Sequence, residues 1–265
     1  MAVRFFSKST IAQGSPRSSK VWDQVASVPP FATGGTINTY VESGTTYYSH
    51  TFTSSGTFTA LKALTVEYCV VASGGSGAGN TVSGVASAGG GAGGMRVGSL
   101  SITSGAKTVT VGTQAVLGSS GNASVFDSIS CTGGGTDGAA GGSGGGGGAG
   151  NQYGPGAGTA GQGNNGGSGS GTYTVTQVAG GGGGGKSAVG GNASSNTVGG
   201  FGGAGLANTY STGASVVYAA GGRGGGQGSG QGAAGVNPGD GGGGGNGAGA
   251  GTRGSAGIVI VRYAV

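Results

Sequence analysis

One stretch of the chain has the spacing of a phosphate-binding loop: Gly180-x4-Gly185-Lys186-Ser187, following the strand-like TYTVTQV at 172–178. Such a loop cradles phosphates on backbone N–H groups that feed a helix N-terminus, and its Lys reaches the outer phosphates. The residues that follow, SAVGGNASSNTVGG, cannot form that helix, and any Lys-Ser after a glycine run would match. Matches to Gly-x-Gly-x-x-Gly recur along the chain and carry no information for the same reason. His50 is the single histidine and sits in an alternating strand; with Cys69 and Cys131 it makes no recognised metal-ligand spacing. The acids Asp23, Glu42, Glu67, Asp127, Asp137 and Asp240 stand singly, and no motif pairs two of them for acid–base work. Arg223, in GGRGGG, is one copy of an RNA-binding fragment that works in multiples. The expectation is a protein without catalysis, cofactor, metal or nucleic-acid partner.

Recognition is better served than reaction. Tyr153, Tyr173, Tyr210 and Tyr218 lie among Asn and Ser, the makeup of adaptable binding surfaces. Asn151, Gln152, Tyr153, Ser194, Ser195, Asn196 and Asn237 are the candidate contact residues, with Tyr173, Tyr210 and Tyr218 as further ones. The competing reading packs Tyr173 and Tyr218 against the β part of the chain. Cys69 and Cys131 each end a strand-like stretch; a disulfide and two buried free thiols both remain open.

The elements that would position these residues follow from composition. Of 265 residues 75 are Gly and only 5 are Pro, and 6% are charged against about 25% in ordinary soluble domains. The formal charge is +5, with Arg4, Lys8, Arg17 and Lys20 near the start, which is too scattered for a nucleic-acid surface. No apolar run resembles a secretory signal or approaches the ~20 residues of a membrane helix. Only Gly14, Gly34, Gly35, Gly44 and Gly56 precede residue 73.

That shift divides the chain into three parts. Residues 1–35 form an arm whose Phe5, Phe6, Trp22 and Phe31 must be buried on something. Attachment to another protein is the expectation, and packing on this chain is the alternative. Residues 36–132 and 257–265 are rich in β-branched and aromatic residues and predict a small antiparallel β domain, with short glycine insertions at 73–94. HTFTSSGTFT reads as a hairpin turning at Ser54-Ser55-Gly56, TVEYCVVA (65–72) as a strand buried on both faces, and SVFDSISC (124–131) as one strand. Further strands are expected at 95–102, 107–111 and 257–264, and almost no helix anywhere.

Residues 133–256 are glycine runs, about 133–150, 154–171, 180–191, 199–205, 220–235 and 239–257 with its β end. A flexible linker is the ordinary use of glycine. Repeated long runs with aromatic separators, closed by the strand GIVIVRYA, argue instead for an ordered insertion whose ends are held together. The chain lacks the Gly-X-Y period and proline of collagen. A polyglycine II bundle fits: extended helices of three residues per turn, hydrogen-bonded sideways where no side chain intervenes. At ~3.1 Å per residue a 16-residue run would span roughly 50 Å, making a slender rod. Six runs alternating up and down put 151–153, 193–198 and 236–238 at the far tip, and 172–178 and 206–219 at the β base. A turn hidden inside a long run, for example at Asn164-Asn165, would shift that parity.

The succession HTFTSSGTFT, VEYCVVASGGSGAG, GGGAGGMRVGSLSI, SVFDSISCTGGG and GSAGIVIVRYAV resembles the glycine-rich distal adhesins and tail-fibre proteins of tailed bacteriophages. The resemblance covers roughly residues 48–265 and leaves the N-terminal arm unmatched. It implies a virion protein at a tail-fibre tip, in which loops between polyglycine II motifs recognise a bacterial outer-membrane protein or surface glycan. It also implies that the N-terminal arm joins another tail-fibre or virion protein. The alternatives are a purely structural virion component and, further off, an ice-binding polyglycine protein. The last would want a flat regular face rather than irregular Tyr/Asn loops.

Overall fold

A computed structural model describes residues 29–79, 87–148, 154–171, 178–228, 230–233, 235–246 and 249–265. Phe5, Phe6, Trp22, Asn151, Gln152, Tyr153 and Tyr173 lie outside the described residues. The described residues contain β-strands and no helix.

Chain order begins with β1 (Ala32–Thr33), β2 (Thr36–Glu42), β3 (Thr45–Phe52), β4 (Gly56–Ala60) and β5 (Leu64–Val71). It continues with β6 (Met95–Ile102), β7 (Gly105–Thr110), β8 (Ser124–Phe126) and β9 (Ile129–Cys131). A small hairpin, β10 (Leu206–Asn208) and β11 (Val216–Tyr218), precedes the last strand, β12 (Ile258–Ala264). One antiparallel sheet has the order β2-β3-β12-β5-β6, and the second has the order β1-β4-β7-β8-β9.

The two sheets close on one apolar core. Phe52, Val66, Val70, Val259, Val261 and Tyr263 face it from the first sheet; Phe58, Val109, Phe126 and Cys131 face it from the second. The other face of the first sheet is covered as well. Cys69, Val71, Met95, Ile258 and Ile260 pack there with Tyr218 and Ala219 from the end of the β10–β11 hairpin. Burial on both faces explains why TVEYCVVA and GIVIVRYA read as nearly unbroken apolar runs rather than alternating ones.

Two turns differ from the sequence expectation. Ser54-Ser55-Gly56 is not a hairpin turn, because β3 and β4 belong to different sheets. Phe52 and Phe58 point into the same core from opposite layers, so the alternating pattern survives a sheet-to-sheet corner unchanged. The tight hairpin lies earlier, at Ser43-Gly44, where φ values of 51° and 82° give the twist that antiparallel strands prefer. SVFDSISC is likewise two strands, reversing at Asp127 with φ 51°, a conformation that Asp tolerates better than most side chains.

Beyond the sandwich, the glycine runs bond to one another with a period of three. Ser87, Gly90 and Gly93 donate to Gly245, Gly242 and Gly239; Gly89 and Ala92 donate to Gly181 and Gly184; Gly91 and Gly94 donate to Gly135 and Thr132. The same stretch accepts from Ala72, Gly75 and Ala78, from Ser143 and Gly146, and from Gly222 and Gly225. Residues 87–94 are thus surrounded by six neighbours, each addressed by every third residue. Residues 180–186 repeat the pattern, donating to Gly225, Gly222 and Ala219 on one side and to Gly147 and Gly144 on another. Three residues per turn is the repeat of an extended polyproline II-type backbone.

The close approach depends on the missing Cβ. One added at Gly183 would overlap the carbonyl oxygen of Gly90, and one at Gly90 would overlap that of Gly75. Both obstacles are backbone held by its own hydrogen bonds, so neither can swing aside.

Among the described residues the runs are shorter than the sequence suggested, too short for a 50 Å rod. The 154–171 run reverses at Thr159–Gln162, where Gln162 N–H donates to the Thr159 carbonyl and Gly161 adopts φ 74°. The 180–191 run reverses after Lys186, where Gly185 N–H meets the Ala188 carbonyl. Others reverse within 226–230 and at Asn246–Gly249. Each uninterrupted stretch is then about 20 Å long at ~3.1 Å per residue. Scattered Thr, Gln, Lys and Asn cap these bends: Gln162 Oε1 accepts from Thr132 N–H, and Asn164 Nδ2 donates to the Gly185 carbonyl.

Two outcomes follow. Gly183→Ala is expected to lower stability by about 3 kcal/mol or to abolish folding, at the upper end of overpacking costs because the obstacle is rigid backbone. Gly154→Ala, where an added Cβ has nothing within 4 Å, is expected to be neutral or slightly stabilising; chemical denaturation of both variants checks the contrast. His50 is fully buried, its Nδ1 bonding the Gly34 carbonyl at 2.8 Å and its Nε2 lying 3.3 Å from the Tyr263 hydroxyl. Burial pushes its pKa below the ordinary value of 6.5, so its contribution to stability is complete above that value. It is lost as pH falls through the lowered folded value. Wild type should therefore weaken on acidification below about pH 6.5, and His50→Gln should flatten that slope in urea titrations at several pH values.

Candidate functional site

Run directions sort the connecting segments onto two ends. Residues 87–94 lead into β6, so Gly94 marks the sandwich end and Ser87 the far end. Ser87 N–H meets Gly245, Gly225 meets Ser87, Gly180 meets Gly225, and Gly200 meets Gly180, which places all five at the far level. Ser170 bridges Ala179, Ser195 bridges Val198 and Gly226 bridges Gly230 at that same end. Thr159–Gln162, Lys186–Ala188 and Pro238 lie at the sandwich end, where Met95 donates to Gln162, Lys186 to Ala219, and Ala219 to Pro238.

The 193–198 turn is the best-defined far-end element. Ser194, Ser195 and Asn196 are all exposed. Ser194 N–H donates to the Val198 carbonyl, and the Ser195 and Thr197 hydroxyls lie 3.2 Å apart. The turn is also tied to its neighbours: Ser170 Oγ donates to the Ser195 carbonyl at 2.7 Å, and Gly228 N–H donates to the Thr197 carbonyl. Its outward groups are therefore fixed from both flanks.

Asn237 is at the other end, which corrects its expected place at the tip. The reversal within 226–230 divides the 220–235 run, so residues 236–238 return to the sandwich. There Asp240 accepts from the N–H groups of Ala220, Val236 and Asn237, a turn that anchors the chain rather than displaying it. Burial pushes the Asp240 carboxyl above its ordinary range against the pull of those three donors. By the same logic the flanks of 172–177 lie at the far end, not at the base, although those residues themselves lie outside the described ones.

The two remaining tyrosines belong to the sandwich. Tyr218 is 3% exposed and packs among Cys69, Met95 and Ile260, so it cannot touch a partner without leaving its pocket. Tyr210 lies over Arg262, with the guanidinium 3.8 Å from its ring and 4.1 Å from that of Tyr47. Arg262 Nε donates to Glu67 at 2.8 Å, and its Nη1 donates to the Tyr40 hydroxyl at 2.9 Å and to Glu42. Thr209 Oγ1 donates to Glu42 at 2.7 Å, and the Tyr40 hydroxyl donates to the Tyr210 carbonyl. Burial opposes the Arg262 charge, but the bonds from Tyr40, Glu42 and Glu67 outweigh it and raise the pKa. Thr209 and then Arg262 hold Glu42 below the usual carboxylate range. This clasp fastens the 206–218 excursion across the first sheet. Sequence reasoning missed it because its members are 220 residues apart; a lone Arg inside an apolar strand, GIVIVRYA, was the available signal.

Phe31, expected among the attachment rings, stacks on Tyr263 at 6.0 Å and carries Lys62 Nζ 3.2 Å above its face. Its ring is placed on this chain's own core. Cys69 and Cys131 are buried free thiols rather than a disulfide. Burial pushes them up to about 12 and about 11, so both stay protonated and poor nucleophiles. The phosphate-loop spacing at 180–187 has no open cradle. Its glycine N–H groups are committed to neighbouring runs, and Lys186 Nζ donates to the Gly161 carbonyl. Among the described residues no cluster of three His, Cys, Asp or Glu could hold a metal, and no helix is long and apolar enough to cross a membrane.

A search of curated proteins finds no match to the chain. A family model described as a glycine-rich domain matches residues 52–264, from the end of β3 through the last strand. The matched span takes in the sandwich strands from β4 onward, the lattice of runs and the closing strand together, and the chain belongs to this glycine-rich domain family.

Proposed function

We propose that the chain is a non-catalytic, receptor-binding adhesin of a tailed bacteriophage, carried in the virion at a tail-fibre tip. In this reading the lattice of runs is a polyglycine II bundle, and its far-end turns recognise an outer-membrane protein or surface glycan of the bacterial host. The N-terminal arm, with Phe5, Phe6 and Trp22, joins the chain to another tail-fibre or virion protein.

One observation carries the reading. Segment flanks far apart in sequence, Ser170 with Ala179, Ser195 with Val198, Gly226 with Gly230 and Asn246 with Gly249, meet on one end of a lattice most of whose interior glycines leave no room for a Cβ. The described turn residues Ser194, Ser195 and Asn196 are exposed and polar, yet pinned by hydrogen bonds to the adjoining runs. Pinned polar loops lose little conformational entropy on binding, which is how pre-organisation raises affinity. Several copies on one particle would add avidity to a modest single contact.

The test is labelling of a panel of Gram-negative strains with fluorescent purified protein. Wild type should label a subset of strains, and the Ser194→Arg, Asn196→Arg double variant should lose that labelling with an unchanged melting temperature. Labelling that survives the double variant would move recognition away from this turn. Failure to label any strain, together with co-assembly into particles, would favour a purely structural virion component.

A further inference from the structure

The edge of the first sheet holds a second feature that the far-end loops do not use. Strand β6 is the outermost strand there; Met95 N–H donates to the Gln162 carbonyl at one sandwich-end bend, and Lys186 from a second bend and Leu206 from the start of β10 border the same space. Between them opens a cleft of about 470 Å³, lined by Tyr68, Arg96, Val97, Gly161, Lys186 and Leu206. These residues come from five separate stretches of chain, so the cleft exists only in the folded molecule.

Its charge is one-sided. Arg96 and Lys186 both line it, and no carboxylate does. Among the described residues both ion pairs belong to Arg262, so neither cleft cation is neutralised. Lys186 Nζ gives one hydrogen bond to the Gly161 carbonyl at 2.8 Å, which aims the ammonium and leaves two of its protons free. Burial first, and the neighbouring Arg96 charge as well, push the Lys186 pKa down, in keeping with two like charges facing one space. Two close cations without a counter-charge repel each other, and an anion between them removes that repulsion.

The rest of the lining is not merely polar. Tyr68 lies across its strand partner Gly98, where an added Cβ would sit 2.7 Å from the Tyr68 hydroxyl and 3.0 Å from Cζ. Glycine at 98 thus lets the phenol ring lie over the edge strand. Val97 and Leu206 are 38% and 37% exposed and border the same space. An aromatic ring with apolar flanks suits the C–H face of a pyranose, and the cations suit an acidic substituent on it.

We propose that this cleft binds an anionic saccharide, with Arg96 and Lys186 holding its carboxylate or phosphate and Tyr68 supporting the sugar ring. That such a sugar belongs to the host surface rests on the adhesin reading; the anion site itself does not.

The experiment is titration of the full chain at low salt with four probes, glucuronic acid, glucose 6-phosphate, inorganic phosphate and glucose, followed by ligand-observed NMR. Both acidic sugars should bind, glucose should not, and inorganic phosphate should bind at least fivefold more weakly than glucose 6-phosphate. The ratio of the two acidic sugars tells a carboxylate from a phosphate source. Arg96→Gln and Lys186→Gln should each weaken the acidic sugars about tenfold, and Tyr68→Ala should erase the preference for glucose 6-phosphate over inorganic phosphate. Absence of binding, equal binding of glucose, or binding indifferent to both cation variants would overturn the proposal. The Ser194→Arg, Asn196→Arg double variant should bind acidic sugars as wild type does, so failure of the far-end reading and failure of this one are distinguishable.

Discussion

The glycine lattice depends on backbone meeting backbone with almost no side chain between. A buried amide or carbonyl without a partner costs about as much as a lost hydrogen bond. In a sheet, neighbours on two sides supply the partners; around residues 87–94, six do. Ordering a residue costs on the order of 1–2 kcal/mol of backbone entropy, more for glycine, while each net hydrogen bond returns only about 1 kcal/mol. Such a lattice gains nothing from a few bonds. It becomes stable when nearly all are made at once and the close contacts are filled, so it needs a boundary that already holds the ends of the runs in place.

The sandwich is that boundary. β12 pairs with β3 on one side and β5 on the other, so the last residues of the chain sit in the middle of the sheet from which the first run departs. The lattice is thereby closed between Ala72 and Gly257. Arg262 secures the remaining side. It is 5% exposed and engages Glu42 from β2, Glu67 from β5, and the rings of Tyr47 and Tyr210. A buried charge is tolerable only when its donors are met, and here the partners come from the sheet and from the hairpin that covers it. The same contacts that neutralise the arginine hold the 206–218 excursion down over Ile258 and Ile260.

Much of the sandwich was legible because apolar patterning reports burial directly. β5, β6 and β12 fall where Val, Ile and Met are dense, and double-sided burial was readable from the unbroken run at 65–72. Pairing was not legible. The corner at Ser54–Gly56 and a hairpin there place Phe52 and Phe58 on the same side, so one pattern serves both. Within the lattice the pattern fails altogether, since glycine has no face to bury. Whether a run continues or reverses was decided by single residues such as Thr159 and Gln162, whose side chains donate or accept at the bends. Asn237 was misplaced for that reason: one overlooked reversal exchanges the two ends for everything downstream until the next.

The same constraint divides the molecule by what it can vary. Inside the lattice an added Cβ meets carbonyl oxygens at Gly90, Gly183, Gly222 and Gly241 alike, so those positions cannot carry chemistry of any kind. Within a run, side chains fit only as small residues such as Ser76 and Ser143 or on the outer flank, as Arg223 over Phe201; the remaining functional groups enter where a run turns. At the sandwich end the turns are occupied with anchoring, as Asp240 shows by accepting from three amides at once, except where Lys186 reaches past its turn to the β6 edge. At the far end the 193–198 turn is held to its neighbours through the Ser195 and Thr197 carbonyls, which leaves the Ser194 and Asn196 side chains outside those bonds. Ser194 and Asn196 could be exchanged for larger or charged residues without disturbing a single inter-run bond made by their side chains. A scaffold built this way separates the residues that fold it from those free to vary, and keeps the second kind out of its interior.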